Sequence, residues 1–357
     1  MATFKRAWAG LGVLTLAAGV IVVPGAALAQ SPAADGITVG VSWNNFNEPR
    51  WAAFDKPAIQ EAVAAVGGSY IETDAASSAE QQLTDVENLI AQGADALIIL
   101  AQDGTAILPA VQGAIDQGIP VVAYDRLIEN SGALYLSFDN VGVGRIMAET
   151  IFPLVPEGNY AIIKGNQADA NADFLRAGME EVIGEAVASG AIVIPGGCET
   201  YTDNWDPATA QTNMENCLVA ADNDIDAVLA ENDGMAGGVI AALQAQGLAI
   251  PVSGQDGDPG ALNRVALGTQ TVSVWKNSSE LGKAAGEAAA ALAANPDLAA
   301  LPGTKPFTSP GNNELTSIIL DPTPVTQENL QVVLDAGVID QATLCAGVTA
   351  GSVAACP

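Results

Sequence analysis

Charged, amide and indole side chains follow the short apolar runs of this chain, at the points where buried strands would end. Carboxylates accept hydrogen bonds from neighbouring hydroxyls, guanidinium and ammonium groups donate to oxygens, and amides do both. Indole faces supply flat apolar area against C–H surfaces. These groups together suit a polyol, and the candidates are Arg50, Trp51, Asp125, Arg126, Asp169, Asn171, Trp205, Asn232, Asp256 and Lys276.

The stretch "PVVAYDRLI" places Asp125 beside Arg126, although the 357 residues contain only 12 Lys and Arg. A cleft that excludes water needs balanced charges, because an unpaired buried charge is costly. Arg50, Arg126 and Lys276 can balance the acids. The alternative for Asp125 and Arg126 is a local ion pair that closes a turn.

Alternating strands and helices would have to position these residues. From Ile37 onward, runs such as "ALIIL" and "PVVAY" lack polar alternation, as strands buried on both faces of a parallel sheet do. Helical stretches separate them, and the same rhythm restarts after Asn140. The sequence therefore predicts an α/β fold with two doubly wound, Rossmann-like lobes, whose ligands lie beyond the carboxyl ends of the strands.

The formal net charge of −29 excludes several classes of function. Nucleic acids and anionic membranes are bound by Lys and Arg clusters, which this chain lacks. The absence of His removes His-based triads and His metal sites. The acidic runs "DNDID" and "GQDGDPG" lack the Gly and closing Glu of a calcium-binding loop. We expect no metal and no cofactor.

The first 29 residues have the layout of a secretory signal peptide, with a basic start, an apolar core and "ALA" before Gln30. Cleavage near Ala29 would place the protein in the periplasm or outside the cell, and a retained anchor is the alternative. The four cysteines are then disulfide candidates with three pairings open, and reduced thiols are the alternative. They are Cys198, Cys217, Cys345 and Cys356.

The motifs "RW", "YDR", "FDN", "AEND", "SGQDGD" and "GTQTVSVWK" resemble, in order and spacing, the periplasmic sugar-binding proteins of ABC importers, in their ribose and xylose branch and most closely the D-xylose-binding members. The resemblance covers residues 37–329. It implies sugar contacts from the ten residues named above and from Glu48, with Trp51 and Trp205 on opposite faces of the ring. Ala170 and Asp173 stand where xylose-binding relatives tend to carry Asn and Lys, so they bear on which sugar binds.

The resemblance also implies the type I periplasmic binding protein fold, in which two lobes are joined by a three-strand hinge. The first lobe would comprise residues 37–139 and 277–307, and the second 140–276 and 308–340. Residues 341–357 would form a Cys-bearing extension. We expect Asp233 to cap the helix that begins near Gly234, which leaves Asn232 for the ligand; Trp43 and Trp275 could lie in the core or in the cleft.

These observations predict a monomeric, exported binding protein that closes its lobes around D-xylose or a similar aldose and delivers it to an ABC permease, its only link to the membrane. A sensor subunit that presents the bound sugar to a chemoreceptor or a histidine kinase is the alternative. A sugar-processing enzyme that uses Asp125 and Asp256 is a third hypothesis. No general acid is evident for it, so we expect no enzymatic activity.

Overall fold

The computed structural model describes residues 36–357, so the predicted signal peptide at residues 1–29 lies outside the described residues. The strands are β1 (Thr38–Trp43), β2 (Ser69–Asp74), β3 (Ala96–Ile99), β4 (Val121–Tyr124), β5 (Ala133–Phe138), β6 (Gly158–Lys164), β7 (Ile192–Val193), β8 (Glu199–Tyr201), β9 (Ala227–Ala230), β10 (Ser273–Trp275), β11 (Lys305–Thr308), β12 (Glu314–Leu320) and β13 (Thr323–Val325).

The helices alternate with these strands over most of the chain. They are α1 (Lys56–Ala65), α2 (Ala79–Ala91), α3 (Leu108–Asp116), α4 (Asn140–Ile151), α5 (Ala170–Ser189), α6 (Pro207–Ala220), α7 (Asp233–Ala245), α8 (Pro259–Leu267), α9 (Ser278–Ala294), α10 (Gln331–Asp335) and α11 (Gln341–Leu344). A π-helical turn, Trp51–Asp55, precedes α1. Within residues 36–357, every helix is too short or too polar to cross a membrane.

The first sheet has the strand order β11-β12-β5-β4-β3-β1-β2, and all its neighbours are parallel except β11 and β12. Its central strands β3 and β4 are buried along their whole length. Ile98 and Val122 face a core that includes Leu281 of α9, whereas Leu97 and Val121 face the helices on the other side. The prediction of a doubly wound sheet buried on both faces is confirmed.

The second sheet is built around β6, which pairs in parallel with β7, β8 and β9. Single bridges, Val228 to Val252 and Gln255 to Val274, continue it to β10, which pairs with β13. One core cluster fills this lobe and contains the Cys198–Cys217 disulfide. The other disulfide joins Cys345 and Cys356, so both bonds follow the local pairing.

The chain passes between the two sheets three times, after β5, after β10 and after β12. One assignment from the sequence was wrong: β12, expected in the second lobe as part of residues 308–340, pairs in parallel with β5 of the first sheet. Of the two strands in this range, β13 is the one that joins the second lobe. The pattern of β12 identifies a strand, but long-range pairing decides which sheet the strand joins. The remaining domain boundaries stay a prediction.

The C-terminal residues pack onto the second lobe. Leu344, Val353 and Cys356 share a core cluster with Leu262 of α8 and with Trp275. Residues 341–357, expected as an extension, therefore contribute apolar contacts to the lobe that carries them. Cysteine pairing alone would not have predicted this packing.

Candidate functional site

Side chains from the carboxyl ends of both sheets line one cavity. All eleven residues selected from the sequence line it, together with Gln255, which the sequence analysis missed. The lining residues are Glu48, Arg50, Trp51, Asp125, Arg126, Asp169, Asn171, Trp205, Asn232, Gln255, Asp256 and Lys276. Their convergence follows from the rule that parallel strands present their carboxyl ends at one edge. Their role as ligand contacts stays a prediction.

A left-handed turn at the end of β4 brings Asp125 and Arg126 to the same cavity. Successive residues of a strand point to opposite faces, but Asp125 has φ 60° and turns the chain. Asp is among the few residues that tolerate this conformation. The turn is held by the Asp125 amide, which donates to the Leu136 carbonyl at 2.8 Å, and by the Ser137 hydroxyl, which donates to the Asp125 carbonyl at 2.6 Å.

Arg126 pairs with distant acids and not with its neighbour. Its Nε lies 3.0 Å from Asp169 Oδ2, and its Nη2 donates to Glu48 Oε1 at 3.2 Å. Its Nη1 donates to the Ala101 carbonyl at 3.1 Å. The turn-closing ion pair between Asp125 and Arg126 is therefore not what the structure contains, and Arg126 instead joins the two lobes.

A second group of charges surrounds Arg50 and Lys276. Arg50 Nη1 lies 3.2 Å from both Asp125 Oδ2 and Asp256 Oδ1. Lys276 Nζ lies 3.6 Å and 3.4 Å from the same two oxygens. These cations therefore connect an acid of the first lobe to an acid of the second.

Burial and neighbouring cations shift the pKa values of the cavity acids in opposite directions. Burial opposes ionisation of Asp125, but Lys276, Arg50 and Arg126 outweigh it and lower the pKa of that carboxyl. Burial raises the pKa of Glu48, and Arg126 only partly offsets it. Asp169 follows Glu48, with a pKa raised by burial. Asp125 is thus an ionised acceptor at neutral pH.

The two cavity tryptophans are fixed by acids that also hold Arg126. Trp51 Nε1 donates to Glu48 Oε2 at 2.8 Å, and Trp205 Nε1 donates to Asp169 Oδ2 at 3.2 Å. The Trp205 ring lies directly on Gly165, where an added Cβ would come within 2.1 Å of the ring. Glycine at the end of β6 therefore makes room for the indole.

The buried acid Glu231 holds the backbone of Gly165, on which the Trp205 ring packs. Its Oε2 accepts a hydrogen bond from the Gly165 amide at 2.7 Å, and the side chain is fully buried. Burial raises the pKa of Glu231 well above its ordinary value. Burial therefore favours the neutral form of the carboxyl behind Gly165, the residue on which the Trp205 ring packs.

Three amide side chains line the cavity. Asn171 Nδ2 donates to the Asp125 carbonyl at 3.2 Å, across the two lobes. Asn232 Oδ1 accepts the Met235 amide at 2.8 Å and caps α7, so the expectation that Asp233 is the cap was wrong. Asn232 also lines the cavity, which is compatible with a ligand role.

Asp233 has a different task, because its carboxylate holds the loop that carries Asp256. Its Oδ2 accepts the amides of Gly257 and Asp258 at 3.0 Å each, and the Ser273 hydroxyl at 2.6 Å. As the first residue of α7, Asp233 lies beyond the position from which a side chain caps the helix.

Gln255 and Asp256 both line the cavity, because Asp256 has φ 103° and turns the chain at this point. Strand alternation would have put Gln255 and Asp256 on opposite faces, so the run "SGQDGD" gave no reason to choose both. Its Oε1 is buried and accepts no hydrogen bond from residues 36–357. A buried acceptor without a partner at a cavity wall suits a ligand hydroxyl.

The two tryptophans left open by the sequence lie outside the cavity. Trp43 packs in the first core, edge-to-face with Tyr124 at 6.3 Å between ring centroids, and Trp275 packs against α8 and the C-terminal residues. No cluster of acids and cysteines in the described range 36–357 has the arrangement of a metal site.

The rims of the two lobes touch beside the cavity. Gln102 Nε2 of the first lobe donates to Asn204 Oδ1 of the second at 2.7 Å. The Gly104 amide donates to the Ala168 carbonyl at 3.4 Å. The two lobes are therefore in direct contact.

Comparison with known proteins finds a matching family model and similar relatives. A family model described as the periplasmic binding protein domain matches residues 39–297. The D-xylose-binding periplasmic protein of Escherichia coli (strain K12) is 34% identical over 322 residues, 89% of this chain and 94% of that protein. The multiple sugar-binding periplasmic receptor ChvE of Rhizobium radiobacter is 31% identical over 347 residues, 91% of this chain and 97% of that protein.

A solved structure shares the fold. An ABC transporter solute binding protein from Clostridium phytofermentans with bound beta-D-glucose has a TM-score of 0.79 and 28% identity to this chain, of which it covers 86%, and 99% of that protein is matched. This likeness confirms the type I periplasmic binding protein fold that the sequence motifs implied.

Proposed function

This chain belongs to the periplasmic binding protein domain family, and from that premise we propose that it captures a monosaccharide in the cavity between its lobes. The observation that carries the proposal is the cavity itself, which combines guanidinium, ammonium, carboxyl and amide groups with two indoles. D-xylose or a similar aldose is the proposed ligand, since a D-xylose-binding relative matches 89% of the chain.

The proposed sugar would lie between Trp51 and Trp205, which cover its C–H faces. Asp125 and Asp256 accept hydrogen bonds from its hydroxyls, while Arg50, Arg126 and Lys276 donate to its oxygens. Asn171, Asn232 and Gln255 add amide contacts, and Glu48 and Asp169 orient the indoles and Arg126.

Two residues that depart from the xylose-binding pattern do not weaken this assignment. Asp173 bonds Lys164 at 2.8 Å and the Tyr201 hydroxyl at 2.7 Å. Neither Ala170 nor Asp173 lines the cavity. The differences therefore lie outside the proposed contacts.

In the proposed cycle, the exported and monomeric protein closes around the sugar and presents the closed lobes to an ABC permease. A sensor role uses the same closed state, and the name of the relative in Rhizobium radiobacter, a periplasmic receptor, favours keeping it as the second candidate. Sugar processing lacks support, because the lowered pKa of Asp125 makes that carboxyl a poor general acid.

A thermal-shift panel of pentoses and hexoses on the mature chain tests the proposal. Binding to the folded state raises the melting temperature by mass action, so at least one aldose should produce a clear shift. Arg126→Ala should abolish the shift, because it leaves Glu48 and Asp169 without their shared cation. Arg176→Ala is the matched control: Arg176 pairs with Glu180 and Glu199 outside the cavity. No shift with any aldose refutes the proposed function.

A further inference from the structure

A fully buried acid outside the cavity holds the cavity arginine. Asp55 is not among the lining residues, and none of its surface is exposed. Its Oδ2 accepts Arg50 Nε at 3.2 Å and its Oδ1 accepts Arg50 Nη2 at 2.9 Å. The Tyr124 hydroxyl donates to the same Oδ1 at 2.5 Å. Two bonds to one carboxylate fix the plane of the guanidinium.

The helical turn Trp51–Asp55 makes this pairing possible. Residues five apart in an α-helix are separated by about 140° around the axis, so they point to different sides. Here the Lys56 amide donates to the Trp51 carbonyl, which is the spacing of a π-helix. The wider turn brings Arg50 and Asp55 toward one side, and single π-turns are frequent at functional sites.

Neighbouring elements hold this turn in place. An added Cβ at Gly282 of α9 would come within 2.6 Å of the Asp55 carbonyl, so α9 packs directly on the turn. The same helix begins two residues after Lys276. Tyr124, on the other side, immediately precedes Asp125 in the chain. Asp55 is thus packed between the segments that carry two other cavity residues.

We infer that Asp55 is a positioning residue that presents Arg50 Nη1 to the ligand; the inference rests on the proposed function. Asp55 holds Nε and one N–H of Nη2, and Nη1 lies on the side of the cavity acids, 3.2 Å from Asp125 Oδ2 and from Asp256 Oδ1. Without Asp55 the plane of the guanidinium is no longer fixed. The sugar then loses a fixed donor.

Calorimetric titration with D-xylose, or with the aldose that shifts the wild-type chain most, tests this inference. Asp55→Asn should raise Kd about tenfold or more, the size of one charged hydrogen bond. In an Arg50→Lys background the same change should add no more than about twofold, because Lys cannot form the bidentate pair. Asp85→Asn, a buried acid of α2 in the same lobe, is the control with unchanged Kd.

The outcomes separate the two hypotheses. If the wild-type chain binds no aldose, the proposed function fails first. If it binds but Asp55→Asn has the wild-type Kd, or loses affinity equally in both backgrounds, the positioning role is overturned and Asp55 is only structural. Where Arg50→Lys binds too weakly to titrate, Tyr124→Phe decides the question. This variant removes the hydrogen bond from the Tyr124 hydroxyl to Asp55 and leaves Arg50 unchanged. It should raise Kd several-fold, and an unchanged Kd overturns the inference.

Discussion

Replacing Gln102 by alanine removes one of the hydrogen bonds between the rims of the two lobes. Gln102 Nε2 lies 2.7 Å from Asn204 Oδ1, and the two residues come from different lobes, so the bond exists only while the lobes are closed. A neutral hydrogen bond contributes about 0.5–1.5 kcal/mol net. Asn204 is partly exposed, so water can replace its lost partner. The substitution also removes the 3.5 Å contact of Gln102 Oε1 with Asn45 Nδ2, which lies within the first lobe. We therefore expect Kd to rise about two- to twelvefold.

Stopped-flow tryptophan fluorescence can resolve this effect, since Trp51 and Trp205 line the cavity. Loss of a closed-state bond should increase the dissociation rate and leave the association rate within about twofold. Asn204→Gly should act in the same way, because glycine keeps the left-handed backbone at φ 57°. The double variant should lose no more than either single one.

Gln117→Ala is the matched control, because the exposed Gln117 donates only to the Gly113 carbonyl within the first lobe. The reasoning is refuted if Gln102→Ala leaves both rates unchanged. It also fails if the loss appears in the association rate, because the bond would then form before closure.

Three further changes have defined outcomes. Gly165→Ala should displace the Trp205 ring and raise Kd about tenfold with little change in melting temperature; equal Kd by calorimetry contradicts the packing argument. The Cys198–Cys217 disulfide closes 19 residues, so its removal in the variant Cys198→Ala/Cys217→Ala should lower the free energy of unfolding by about 3 kcal/mol. An unchanged midpoint of urea unfolding would contradict this expectation. Glu231 keeps its proton in the folded chain above the ordinary carboxyl pKa, so raising the pH through that window lowers stability, by up to about 1.4 kcal/mol per pH unit. Glu231→Gln should flatten the pH dependence of urea unfolding, and an equal slope would show that Glu231 ionises in the folded state.

Much of the site followed from the sequence because a parallel sheet imposes a simple rule. Buried apolar runs end at one edge, and whatever polar residue comes next must lie there. Asp125, Asn232 and Lys276 could be selected in this way without knowing which strand pairs with which. The scarcity of basic residues narrowed the choice, because only 12 occur in 357 residues and three line the cavity.

The sequence did not predict the roles of neighbouring polar residues when either of them could take the same role. Asn232 and Asp233 both suit a helix cap, and only the loop around Asp256, held by the Asp233 carboxylate, decides that Asn232 is the cap. Gln255 was missed because a positive φ at the next residue cancels strand alternation. Local propensity does not contain either fact.

The sequence by itself determined the two-lobed α/β fold and most of the residues that reach the cavity, because hydrophobic periodicity and strand ends are local properties of the chain. The tertiary structure alone decided how those residues are paired. Arg50 meets Asp256, 206 positions away, and Arg126 takes Glu48 and Asp169 in place of its neighbour. The tertiary structure also decided that β12 joins the first sheet, where it pairs with β5. Pair choice depends on distances and burial that arise only when remote segments pack together, since Coulomb and hydrogen-bond energies depend on separation in space and not along the chain.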